Sequence, residues 1–161
     1  MTNLQFFKAC FNNELNATRA ILEALPSDRL DYKPHPVNRS AYEIAEHILG
    51  HMVDFKSILE QNVFDETLVY SFNSPAEAGA RFSELAELVN KSLDSATDAS
   101  WENEPVELKI NGNSILTIPR MQMMWFFFFD VIHHRGQLSS YIRPMGGKNP
   151  AVYGYSADTI G

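Results

Sequence analysis

Residues 129–141 read FDVIHHRGQLSSY, and they continue a strongly apolar segment that begins at Met121. The pattern predicts one long helix through this part of the chain. Asp130 and His134 are four residues apart, so on a helix they stack on one face, one turn above the other. A carboxylate and an imidazole in this arrangement either share a metal ion or form a hydrogen-bonded pair in which the acid orients the ring. The spacing alone leaves both interpretations open.

This predicted helix is apolar on every side, with residues 121–129 reading MQMMWFFFF. A helix of this kind lies in a protein core or in a subunit interface. Because the four phenylalanines cannot all face one small core, we expect part of the helix to contact a second copy of the chain. Gly136 costs about 1 kcal/mol relative to alanine inside a helix, so we expect a neighbouring helix to approach closely there. Pro144 ends the helix.

A β-hairpin is predicted directly before this helix. Residues 106–110 alternate apolar and charged side chains, and Asn111-Gly112 follows them. An Asn-Gly pair between alternating segments is a strong hairpin signal. A three-residue loop would pair Leu108 with Leu116 and match the apolar faces of the two strands, whereas a two-residue loop matches them less well. Pro119 then suits the first turn of the helix.

Three further amphipathic helices precede the hairpin, and each begins at a suitable capping residue. The three caps are Thr2, Ser40 and Ser74. Residues 61–73 and 94–104 are expected to be loops or turns. Four amphipathic segments and one small hairpin predict an all-α fold, a four-helix bundle formed by a single domain over residues 1–161.

Two histidines lie inside the apolar stripe of the second predicted helix. His47 and His51 share that face with Ile44, Ile48 and Phe55. An imidazole that faces a core must find a partner, because burying it unpaired is costly. One interpretation is a histidine at the edge of the core that is bonded to a carbonyl or a water, and the other is a metal ligand.

The two helices together suggest a metal site. If they are neighbours, His47 can meet Asp130 and His134 inside the bundle. Two imidazoles and a carboxylate leave coordination positions open for water or substrate, as catalytic metal sites require. His51, one turn from His47, is an alternative or additional ligand. His133 points about a quarter-turn away from His134 and is expected to face solvent or an interface.

Composition excludes several other classes of protein. The chain has 161 residues and a net charge of −7, with no basic run, which argues against nucleic acid or an anionic membrane as partner. The apolar segment before Asp130 is too short to span a bilayer, and the N-terminus does not resemble a signal peptide. Cys10 is the only cysteine, so we expect a cytoplasmic protein without an internal disulfide.

Several stretches resemble the DinB family. Residues 134–138 (HRGQL), 141–143 (YIR) and 149–154 (NPAVYG) look like its C-terminal signature. Residues 45–49 (AEHIL) resemble its second helix, where the first metal-binding histidine lies. The hairpin before the last helix also fits the family pattern. The resemblance spans nearly the whole chain, and the His-Arg-Gly-Gln run is its most specific part.

The resemblance implies an up-down-down-up four-helix bundle, often dimeric. It also implies a divalent metal, commonly zinc or nickel, held by three histidines near one end of the bundle. Two of these correspond to His47 and His134, but the third position, four residues before His134, holds Asp130 here. Aspartate binds the same metals, so His47, Asp130 and His134 are the expected ligands. The exchange could equally mean a changed metal preference or weaker binding.

Characterised relatives include thiol transferases that use low-molecular-weight thiols, and a mycothiol-dependent isomerase. The resemblance therefore implies a metal-dependent enzyme with a small-molecule substrate, a thiol S-transferase or a hydrolase, with a metal-activated thiolate or water as nucleophile. The alternative is a non-catalytic dimeric bundle that binds a metal or a small molecule in stress response. Arg135 and Gln137 are at most partners of the metal ligands, and hydrogen bonding at the helix surface is their favoured interpretation.

Overall fold

The structure is a computed structural model, and it describes residues 1–160. These residues form five α-helices and a three-stranded sheet. The helices are α1 Asn3–Glu23, α2 Ala41–Glu60, α3 Pro75–Ser95, α4 Asp98–Asn103 and α5 Arg120–Ile142. The strands are β1 Val63–Asp65, β2 Pro105–Ile110 and β3 Asn113–Pro119. The fold is thus mostly helical.

The four long helices pack side by side around one hydrophobic core. α1 packs against α3 and α5, and α2 packs against the same two helices. The predicted caps bond as expected: the side chains of Thr2, Ser40 and Ser74 each accept a hydrogen bond from a backbone N–H in the first turn. α2 lies beside α5, so the histidines of the second predicted helix face the last helix.

The hairpin has the turn of the two-residue loop and the strand pairing that was predicted for the three-residue loop. Asn111 and Gly112 form a two-residue turn, with φ of 51° and 76°, as a tight hairpin turn requires. Leu108 nevertheless pairs with Leu116, as the three-residue loop predicts. A β-bulge that leaves Ile115 unpaired reconciles the short turn with the matched apolar faces.

Two short elements were not predicted. The segment after α2, expected to be a loop, contains β1, which pairs in parallel with β2 and places Phe64 opposite Leu108. The polar stretch 94–104 contains α4, whose Trp101 is fully buried. Both elements are stabilised by one large apolar side chain that inserts into the core, and a pattern search over a polar stretch does not detect this.

α5 divides its aromatic residues between core and surface. Phe127 and Phe128 are buried, whereas Phe126 and Phe129 are 56% and 61% exposed. α5 begins at Arg120, so Pro119 is the residue before the helix and does not lie in its first turn, where it was predicted. Among residues 1–160, no helix is long and apolar enough to cross a membrane.

Substitution by alanine is expected to have opposite effects on stability at two helical glycines. A Cβ on Gly50 would lie 2.3 Å from the backbone oxygen of Thr67, whereas a Cβ on Gly136 would meet no atom of residues 1–160 within 4 Å. The prediction that a neighbouring helix approaches Gly136 closely is therefore wrong for these residues. We expect Gly50→Ala to lower the free energy of unfolding by about 1–3 kcal/mol, and Gly136→Ala to raise it by up to about 1 kcal/mol.

Urea unfolding of both variants and the parent protein measures this difference. Equal effects of the two substitutions would contradict the packing described for Gly50. A loss of stability in Gly136→Ala would instead indicate that another chain covers that position.

Candidate metal centre

Three imidazoles surround one carboxylate oxygen, Asp130 Oδ2, at the interface of α2 and α5. The distances from that oxygen to the Nε2 atoms are 2.9 Å for His51, 3.2 Å for His134 and 3.3 Å for His47. Each helix contributes two residues four positions apart, so each pair shares one helix face. The packing of the two helices brings the four side chains to a single point.

The structure brings the three predicted ligands together. His47, Asp130 and His134 each offer a ligand atom, and these atoms lie within 4.8 Å of one another. His51 joins them through Asp130, which agrees with its place as an alternative or additional ligand. His133 is exposed, and its Nε2 lies 3.1 Å from Gln137 Nε2. That an ion binds these side chains stays a prediction.

Two of the separations in the cluster are those expected between neighbouring ligands of a tetrahedral metal ion. Ligand bonds of about 2.0–2.1 Å place two neighbouring ligand atoms about 3.3 Å apart in a tetrahedral site. The separations from Asp130 Oδ2 to His134 Nε2 and to His47 Nε2 match that value.

Two of the rings are held by partners on their far side. Gln137 Oε1 lies 2.8 Å from His134 Nδ1, and Asp54 Oδ2 lies 3.2 Å from His51 Nδ1. An acceptor at Nδ1 keeps the proton there and leaves Nε2 free to act as a ligand, the arrangement typical of metal-binding histidines. Gln137 therefore contacts the cluster, which differs from the surface role favoured from the sequence.

The three rings make five short contacts with oxygen atoms, but three neutral rings carry only three N–H groups. His51 faces Asp54 at Nδ1 and Asp130 at Nε2, and His134 faces Gln137 and Asp130 in the same way. A neutral imidazole carries a single N–H and can donate to one of its two acceptors only. His51 lies between two carboxylates, so either its ring is protonated or a cation lies between its Nε2 and Asp130. For His134 the choice is wider, because the amide of Gln137 can also turn and donate to Nδ1 of a neutral ring.

Sequence reasoning missed Asp54 and Glu66. Asp54 is fully buried, and its Oδ1 accepts a hydrogen bond of 2.9 Å from the backbone N–H of Thr67. Asp54 follows His51 by three residues on the same helix, and this spacing could have indicated that the two side chains are in contact. Glu66 follows β1, and its carboxylate forms a second candidate metal group with His47 and His51. No local pattern connects Glu66 with α2.

Asp130 and His47 have shifted pKa values, and the physical cause of each shift is clear. Hydrogen bonds from His134, His47 and His51 hold the pKa of Asp130 far below its usual range, so this residue is a carboxylate at neutral pH. Burial lowers the pKa of His47 despite its bond to Asp130.

Burial also opposes the charged form of His51. Its hydrogen bonds to Asp130 and Asp54 and the charges of these two acids outweigh that effect, and the pKa of His51 is raised. For Glu66, burial raises the pKa. The centre therefore holds an ionised acceptor among rings of differing basicity, a combination common at functional sites.

Arg135 lies away from this centre. Its guanidinium is buried and pairs with the Glu14 carboxylate, with Thr18 Oγ1 and with the hydroxyl of Tyr153. Arg135 thus ties α5 to α1 and to the C-terminal segment. The structure replaces the surface role favoured for this residue with a structural one.

Comparisons with known proteins agree on one family. A family model for the DinB family matches residues 1–159. A DinB-like protein from Bacillus cereus superposes with a TM-score of 0.73 at 20% identity, covering 91% of this chain and 95% of that chain. A DinB-like protein from Bacillus subtilis gives 0.69 at 19% identity, covering 92% and 99%. No curated protein matches the chain.

Proposed function

The chain belongs to the DinB family, and on that premise we propose that it binds one divalent metal ion through His47, Asp130 and His134 and acts on a small molecule. The observation that carries this proposal is the convergence of three Nε2 atoms on Asp130 Oδ2, where the rings make more short N···O contacts than they have N–H groups when neutral. A cation between the Nε2 atoms and Asp130 would use each lone pair and let each Nδ1 keep its proton. His51 is the additional ligand or the alternative one.

We take zinc or nickel as the ion, because the family resemblance implies these metals and imidazoles with a carboxylate suit both. Such an ion, when bound, lowers the pKa of a thiol or a water molecule that it coordinates. The chain itself supplies the rest. Asp130 provides negative charge, and Gln137 and Asp54 hold two rings in position.

The first candidate activity is that of a thiol S-transferase or a hydrolase acting on a small molecule. A low-molecular-weight thiol would be its co-substrate in the transferase case. The second candidate is a non-catalytic dimeric bundle that binds a metal or a small molecule in stress response. One observation favours it: with His51 as a fourth ligand a tetrahedral site is closed, and closed sites are structural.

Metal content of the purified protein tests the proposal. We expect close to one zinc or nickel ion per chain, and its loss in His47→Ala and in Asp130→Ala. His133→Ala is the matched control, because it removes an exposed imidazole next to the cluster. Equal metal content in all three variants would show that the ion binds elsewhere or not at all.

A second comparison separates the two candidates. If His51→Ala keeps the ion, three ligands suffice and a coordination position is open for chemistry. The metal-loaded protein is then assayed with a panel of thiol and ester substrates. Turnover that depends on the metal supports the enzyme, whereas metal binding without turnover supports the binding protein.

We also propose that residues 1–161 form one domain and that the protein is cytoplasmic. For the four long helices we propose the up-down-down-up order. Four contacts support the order: Lys8–Asp94 for α1 and α3, Glu60–Ser92 for α2 and α3, Ile58–Arg120 for α2 and α5, and Phe7–Trp125 for α1 and α5. The first and third join the start of one helix to the end of the other, and the remaining two join matching ends.

A homodimer is proposed from the exposed aromatic face of α5. The ring of Phe129 lies 5.4 Å from the ring of Trp125 at a tilt of 30°. Trp125 in turn contacts Phe6, which is 50% exposed. Exposed apolar patches of this kind mark interaction sites. Light scattering at micromolar concentration should give twice the chain mass, and Phe129→Glu should reduce it to the chain mass. A monomeric parent protein would contradict the proposal.

A further inference from the structure

A cavity of about 220 Å³ adjoins the cluster. It lies between the β2–β3 hairpin and α5. Its polar end is formed by His51, Glu66 and Asp130. A molecule in this cavity would therefore touch the candidate metal centre from the side of the hairpin.

The other end of the cavity is apolar. Leu108, Ile115 and Leu116 line it from the hairpin, and Phe126 and Phe127 line it from α5. Ile115 is the residue displaced by the β-bulge, and it is 51% exposed at the rim. An apolar cavity of about 150 Å³ is large enough to hold benzene, so this one has room for a six-carbon group with a polar head.

Glu66 determines which kind of polar head group on a ligand fits the polar end of the cavity. Its backbone N–H donates to the carbonyl of Lys109. Its carboxylate makes no hydrogen bond or ion pair with the rest of residues 1–160, and it is half-buried. Together with Asp130 it makes this end an acceptor surface. A ligand head that donates a hydrogen bond matches it, whereas an anionic head meets two carboxylates at close range.

We propose that this cavity binds the apolar arm of a small uncharged molecule, about six carbons long, whose hydroxyl, thiol or amide group donates to Glu66 at the edge of the metal centre. The inference deepens the proposed function, since it names the class of substrate that would reach the ion. It stands on the shape and lining of the cavity, so it applies to the metal-free protein as well.

Binding of 1-butanol, 1-hexanol and benzyl alcohol to the metal-free protein, followed by NMR titration, tests the apolar end. Each buried CH₂ contributes about 0.8 kcal/mol, which is about a fourfold gain in affinity. We expect hexanol to bind about sixteenfold more tightly than butanol, with shifts at Leu116 and Phe127. A hexanol affinity equal to that of butanol would overturn the proposal.

Two test variants and one control variant locate the apolar arm of the ligand in the cavity. Leu116→Trp fills the cavity and should remove the difference between butanol and hexanol, whereas Thr117→Trp, on the opposite face of β3, should keep it. Ile115→Glu changes a half-exposed rim residue and should weaken hexanol binding without disturbing the fold. An unchanged hexanol preference in both Leu116→Trp and Ile115→Glu would overturn the proposal.

The polar end is tested with hexanoate. It should bind at least about tenfold more weakly than hexanol, because its charge faces Glu66 and Asp130, and Glu66→Gln should narrow that gap. If hexanoate binds as tightly as hexanol, the proposal that the head group of the ligand is uncharged is wrong. Failure of the metal proposal is visible separately, since metal content is measured on the same protein and a chain without metal still reports on the cavity.

Discussion

Zinc at about one thousand times its dissociation constant should raise the melting temperature of this protein by about 8–16 °C. Binding to the folded state alone at that ratio stabilises it by about 4.1 kcal/mol. For a chain of this size, each kcal/mol shifts the melting temperature by about 2–4 °C. The effect is large because His47, Asp130 and His134 come from two helices and converge only when the chain is folded.

Calorimetric melting with and without zinc gives the measurement. Asp130→Ala should abolish the shift, and His133→Ala, which leaves the cluster intact, should preserve it. Asp54→Asn should give a smaller shift, because partners that orient a ligand are worth about 10- to 100-fold in metal affinity. The same zinc shift in Asp130→Ala and the parent protein would show that the stabilising ion binds away from this centre.

Replacing Arg135 with methionine should destabilise the protein by about 3 kcal/mol. The side chain of Arg135 is 4% exposed and that of its partner Glu14 is 19% exposed. Removing one member of a buried ion pair leaves the other charge without compensation and costs about 3–5 kcal/mol. We use the lower end because Glu14 retains some contact with water and with the Tyr153 hydroxyl.

Arg143→Met is the matched control, since this arginine of the α5 C-terminus pairs with Asp158 and its side chain is 51% exposed. A pair of that kind contributes about 0–1 kcal/mol. Urea unfolding measures both variants, and metal content should remain unchanged in each. Similar stabilities of the two variants would contradict the role of Arg135, and loss of metal in Arg135→Met would link it to the centre.

Local patterns were enough for the long helices and for the hairpin. Apolar spacing and capping residues depend on neighbours within one or two turns, so Thr2 and Ser40 marked helix starts correctly. The pairing of Leu108 with Leu116 followed from matching apolar faces. The β-bulge and α4 did not follow, because each is stabilised by packing against distant parts of the chain.

For the site, the sequence by itself determined that His47 shares a helix face with His51 and Asp130 with His134, because the helical repeat decides which side chains stack. Only the tertiary structure decided that these two faces meet, that Gln137 and Asp54 hold the rings, and that Glu66 joins them from beyond β1. The reason is physical: the position and rotation of one helix against another depend on the packing of the whole core, and no short stretch of sequence contains that information.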